Sequence, residues 1–170
     1  MLFGDQSNGE AWEIDVLTQD YVVSGQVGPG AQRWAWTYLS MTEKNAPSAL
    51  EVAVSGARST GSLVAPVLAG KTVGFSYAAG LIGLIVRNDA AGKAWDQWAA
   101  LGEEAAAEVT IGPYAISGTV LSPSGGLDFL INDRFAMRDA TVTRVDGSGG
   151  PIDTPRAVFS TRFVQTAALV

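Results

Sequence analysis

Apolar and polar residues alternate with a period of two in Leu50-Glu51-Val52-Ala53-Val54 and in Ala140-Thr141-Val142-Thr143. That period puts every second side chain on one face of an extended chain, so both segments are predicted to be half-buried strands. Residues 14–27 and 108–121 carry alternating or continuous β-branched runs and are read as strands too. Turn residues separate them: Gly28-Pro29-Gly30, Pro123-Ser124-Gly125-Gly126, Asp146-Gly147-Ser148-Gly149-Gly150-Pro151 and Asp153-Thr154-Pro155. Glycine supplies positive φ and proline removes a ladder donor, so a strand is expected to stop at each.

Residues 90–108 follow another rhythm. Ala94, Trp95, Trp98, Leu101 and Ala105 recur at three- and four-residue steps, with Asn88-Asp89 ahead of them as a capping candidate. The spacing predicts a helix that lays one stripe across its neighbours, weakened near its end by Gly102. Residues 63–86 approach the length of a membrane span and carry one charge, Lys71. Pro66, Gly70, Gly74, Gly80 and Gly83 divide that stretch, so it is read as a buried pair of strands.

The two halves resemble each other in four places. Tyr21-Val-Val-Ser24-Gly25-Gln-Val27 reappears as Tyr114-Ala-Ile-Ser117-Gly118-Thr-Val120, followed by Pro29 and Pro123. Trp34-Ala35-Trp36-Thr37-Tyr38-Leu39 occupies the place of Leu127-Asp128-Phe129-Leu130-Ile131. Residues 49–56 match residues 140–147, and Phe75-Ser76 through Val86 matches Phe159-Ser160 through Val170. The order is kept while loop lengths change, which predicts a duplication. The expected architecture is mainly β with one or two short helices: two related small β units, each a barrel or sandwich, joined by a helix. Its divisions are an N-terminal tail (1–12), a first unit (13–88), a connector helix (89–107) and a second unit (108–170). Each unit alone is small enough to be marginal, and packing one on the other would cure that.

With 47% hydrophobic and 16% charged residues, the 170-residue chain falls within the range of globular proteins. It has no cysteine and no histidine. That excludes disulfides, thiol nucleophiles, imidazole bases and nearly all zinc sites. A net charge of −6 argues against a sequence-independent hold on nucleic acid or an anionic membrane. No basic residue precedes an apolar run near Met1, so a cytoplasmic address is expected.

Residues Ile116-Ser117-Gly118, Pro123-Ser124-Gly125, Leu127-Asp128-Phe129-Leu130-Ile131-Asn132, Phe135 and Asp139-Ala140-Thr141-Val142 together form a pattern. It resembles a short bacterial β-rich domain of unknown function, over about residues 108–170 and faintly over 14–87. The resemblance implies a small, mostly β domain and brings no activity with it. The segment 158–164 lacks the Asn-Arg expected in the closing strand of that domain.

Asp128, Asp133 and Asp139 are the best carboxylates for acid–base work, although a helix N-terminus explains Asp128 and pairs with Arg134 and Arg138 explain the other two. No Asp-x-Asp-x-Asp-Gly loop suggests calcium, and neither glycine-rich turn has a phosphate-cradling pattern. No cofactor, no metal and no catalytic residue is therefore expected. Trp34, Trp36 and Tyr38 fall on one face of a strand, and Trp95 and Trp98 lie on the helix. These five are the candidate binding residues, because Trp and Tyr dominate binding hot spots, and core packing is the competing role. The function expected is a non-enzymatic binding or assembly module, meeting a protein partner or another copy through that aromatic face. The alternative is a small-ligand protein or carboxylate-dependent enzyme with a pocket between the copies.

Overall fold

The computed structural model describes residues 9–32, 49–76, 80–99 and 102–170. Among the described residues ten strands pair antiparallel throughout in one sheet: β1 (Trp12–Leu17), β2 (Tyr21–Val27), β3 (Ala49–Ser59), β4 (Thr72–Ser76), β5 (Gly83–Val86), β6 (Glu103–Ile111), β7 (Tyr114–Ser122), β8 (Arg134–Arg144), β9 (Ile152–Ser160) and β10 (Val164–Leu169). Helix α1 (Asp89–Ala99) joins β5 to β6, and a 3-10 turn, Leu127–Ile131, joins β7 to β8. The chain is mainly β, as its alternation and turn residues predict.

The sheet runs β10-β6-β7-β8-β9-β5-β1-β2-β3-β4. Within it, β1 to β5 take the order fifth-first-second-third-fourth, and β6 to β10 take that same order. The two sets meet where β9 pairs with β5. Nothing in the alternation of either strand predicts this seam.

Two apolar cores form on opposite faces of the sheet. One gathers Trp12, Ile14, Val16, Val23, Leu50, Val52, Phe75, Leu84 and Val86 beneath α1. The other gathers Val109, Ile111, Tyr114, Ile116, Phe129, Phe135, Met137 and Phe159, and is closed by Leu17, Val22, Ile82 and Ile85 from the other half. Neighbouring residues of β5 thus serve different cores, and the whole of Gly83–Val86 is buried. This is why the strand reads as a continuous apolar run.

Five expectations are corrected. Asp153-Thr154-Pro155, where a strand was expected to stop, lies inside β9, and Pro155 is tolerated there because the β8–β9 ladder makes no pair between Asp139 and Pro155. Of the buried pair of strands read in residues 63–86, only β5 is buried throughout, while β4 is a largely exposed edge strand paired with β3 and not with β5. The helix stops at Ala99, and Glu103 to Ala107, assigned from sequence to the connector, form the start of β6, paired along their length with β7. Nine consecutive ladder pairs outweigh the helix propensity of an Ala-Glu-rich segment. The third strand of the second half begins at Arg134, not at Ala140, so its counterpart of Ala49–Ser59 is Arg134–Arg144, also 11 residues. In the last strands Val86 faces Ile14 while Leu169 faces Ala107, one residue off the match of Val86 with Val170, with a register shift between Val164 and Thr166. The cap is as read: Asn88 Oδ1 accepts from the Ala91 backbone N–H at 3.2 Å.

Candidate interaction surfaces

The shared Ser-Gly pair has a structural reason. The β2–β3 register shifts between Ser24 and Gly25, and the β7–β8 register shifts between Ser117 and Thr119. A Cβ on Gly25 would stand 2.5 Å from the Ala53 carbonyl oxygen, and one on Gly118 would stand 2.6 Å from Ala140 Cα. Both glycines let the second strand bend tightly over the third. On β8, Asp139 takes a positive φ of 50°, and where the β7–β8 register passes from Ser117–Thr141 to Thr119–Arg138, Asp139 and Ala140 stand opposite Gly118 alone. Asp139 therefore shapes a bulge, a conformation that Asp adopts more readily than most residues.

Of the other two carboxylates, that of Asp128 is engaged within its own turn. Asp128 accepts hydrogen bonds from the Ser122 hydroxyl and from Ser124 Oγ at 2.6 Å. These bonds, Ser122 foremost, hold its carboxyl below the usual aspartate range. Asp133 is exposed, and its carbonyl oxygen accepts from the Thr161 N–H at 2.8 Å. Among the described residues no group of three or more acidic side chains is placed to hold a metal ion.

Two shallow grooves cross the outer faces of the sheet. One, of about 580 Å³, lies over β1, β2 and β3 and is lined by Glu13, Asp15, Ser24, Gln26 and Ser55, with Arg87 paired to Asp15 at 2.8 Å. The other, of about 430 Å³, lies over β10, β6, β7 and β8 and is lined by Glu108, Thr110, Ser117, Thr141, Thr143 and Thr166. Asp128, Asp133 and Asp139 line neither.

Of the five aromatic candidates, Trp34, Trp36 and Tyr38 lie outside the described residues. The backbone of Trp98 belongs to α1, and its side chain also lies outside them. Trp95 is 3% exposed and donates its indole N–H to the Ala157 carbonyl oxygen of β9 at 3.0 Å. It packs α1 onto the sheet, the competing role its spacing allowed, and presents no surface to a partner.

The feature that the sequence could not place is which two strands form the sheet edges. β4 pairs with β3 alone and β10 with β6 alone, so among the described residues each has one strand neighbour. Thr72-Val-Gly-Phe-Ser76 and Val164-Gln-Thr-Ala-Ala-Leu169 contain no charge and no proline. Charge and proline are the usual means of blocking an edge, and neither strand has them. Their composition was visible in the sequence, but their place at the edges depends on the β9–β5 seam.

Comparison with protein-family models, with curated proteins and with solved structures finds no match. No described helix is long and apolar enough to cross a membrane.

Proposed function

We propose that this chain is a non-enzymatic assembly module made of two related five-stranded units, β1–β5 and β6–β10, set side by side in one sheet. The observation that carries the reading is the repeated strand order, joined at β9–β5. Matching Tyr-x-x-Ser-Gly segments at the same bends, and the Phe-Ser pairs closing β4 and β9 opposite the first residues of β3 and β8, support the duplication. A seam between units is an interface already built, with uncharged edges on either side of it. Trp34, Trp36 and Tyr38 enter this reading through their sequence alone, as further contacts with a protein partner.

The test is the native mass of the untagged protein across a range of concentrations. A defined multimer supports the assembly reading. A bare monomer at every concentration overturns it, and a monomer retaining a small molecule turns attention to the grooves.

A further inference from the structure

Resting on the reading of two related units, we infer that the occupant of the two outer edges is a second copy of this chain, joined β4 to β10 in the way that β9 joins β5. The seam consumes the fourth strand of one unit and the fifth strand of the other. What remains outside is a fourth strand, β4, and a fifth strand, β10. The chain thus carries on its ends the two halves of a contact that it already makes in its middle.

Polarity agrees. All ten strands are antiparallel to their neighbours, so the first and last of the sheet, β10 and β4, run in opposite directions. A second copy in the same orientation brings its β10 antiparallel to β4, with no strand reversed. Such a contact is head-to-tail, and repeated it gives a ring or a filament.

The register follows from the ladders. At the seam Gly83 faces Phe159, Leu84 faces Val158 and Ile85 faces Ala157. Phe75 and Val73 hold on β4 the places of Phe159 and Ala157, since they face Leu50 and Val52 as those face Phe135 and Met137. Thr166, Ala167 and Ala168 hold on β10 the places of Gly83, Leu84 and Ile85, counted from the partners of β6 and β1. The neighbouring copy therefore sets Thr166 opposite Phe75, Ala167 opposite Gly74 and Ala168 opposite Val73. Along this face Leu17, Val22 and Ile85 of the seam become Thr110, Ala115 and Ala168, which are smaller and more polar. Less apolar area is buried, so the contact between copies is weaker than the seam and depends on concentration.

With no native cysteine, single thiols report the contact without background. Gly74→Cys and Ala167→Cys proteins are mixed and treated with a short bismaleimide, with Gly150→Cys in the β8–β9 turn as the control partner. The account expects a 74–167 heterodimer and its loss when Gly150→Cys replaces Ala167→Cys. A dominant Gly74→Cys homodimer, the mark of a two-fold β4–β4 contact, overturns it. A native multimer without 74–167 cross-links overturns the inference and leaves the assembly reading standing, whereas a monomer at every concentration removes both. Hydrogen exchange on the unsubstituted protein guards against variants that fail to fold. Dilution must release the amides of β4 and β10 together, and unchanged exchange at both edges overturns the inference.

Discussion

The Tyr114 hydroxyl, at the start of β7, donates to the Thr18 carbonyl oxygen at 2.6 Å, tying the second half of the chain to the β1–β2 turn of the first. Thr60 Oγ1 lies 2.8 Å from the same hydroxyl, and Arg144 reaches over the ring to donate to Thr60 Oγ1 at 3.0 Å and to the Gln19 carbonyl oxygen at 3.1 Å. The two halves of the chain are thus tied by a part-buried polar cluster as well as by the β9–β5 ladder. Tyr114→Phe keeps the ring and leaves the Thr18 oxygen short of a donor, an expected loss of about 1–3 kcal/mol in urea unfolding. An unchanged midpoint would show that the cluster does not hold the halves together.

Burial drives the Tyr114 phenol above its ordinary value, with the Thr60 hydrogen bond and Arg144 opposing in part. The unfolded chain releases this proton first, so the contribution is complete below the ordinary tyrosine pKa of about 10 and is lost as pH rises through the folded value. Stability measured from pH 8 to 11 should fall more steeply in the wild type than in Tyr114→Phe. Parallel curves would contradict the placement of this hydroxyl.

The Asp128 carboxylate should titrate below pH 3.8 in a carbon-detected NMR experiment, because the Ser122 and Ser124 hydroxyls favour its charged form. Its support for the Leu127–Ile131 turn is present above the unfolded pKa and is lost as pH falls through the depressed folded value. Ser122→Ala should move the midpoint upward. A midpoint that does not move would remove Ser122 as the main cause.

Gly25 and Gly118 differ sharply from Gly56, where an added Cβ meets nothing within 4 Å. Gly118→Ala forces a methyl against the β8 backbone and should cost about 1–3 kcal/mol or more, while Gly56→Ala should change thermal stability little. Equal effects at the two sites would show that the close approach at the bend is not what selects glycine.

Trp95 stitches α1 to β9. Trp95→Ala removes a buried indole together with its hydrogen bond to Ala157 and should lower stability by about 3–5 kcal/mol. Thermal unfolding followed by circular dichroism checks this, and a shift of less than 1 kcal/mol by the same order-of-magnitude scale would place the indole at the surface as a binding residue.

Local chemistry was legible where a pattern has a short range. The alternation of Leu50 to Val54, the Asn88 cap and the turn glycines Gly125, Gly147 and Gly149, all three at positive φ, produce the expected elements. The glycines of the two Ser-Gly pairs each stand at a bend without room for a Cβ, which is a physical reason for glycine at both places. Glu103 to Ala107 misled because their alanines and glutamates favour a helix, while the strand that claims them, β7, lies beyond a hairpin at Gly112-Pro113. The seam was invisible for a deeper reason: Gly83–Val86 and Ala157–Phe159 lie far apart in sequence, and burial on both faces erases the alternation that would assign them to a sheet. Trp95 shows the same limit, because helical spacing identifies a stripe without saying whether sheet or solvent lies beneath it.

Sedimentation of the wild type beside a variant carrying Thr72→Lys and Ala168→Lys, one charge on each outer strand, tests the central claim most directly. Both positions are exposed and outside the two cores, so the fold should survive. The account predicts a concentration-dependent multimer for the wild type and a monomer with native circular dichroism for the variant. A wild type that sediments as a monomer throughout, or a variant that assembles as the wild type does, would contradict it.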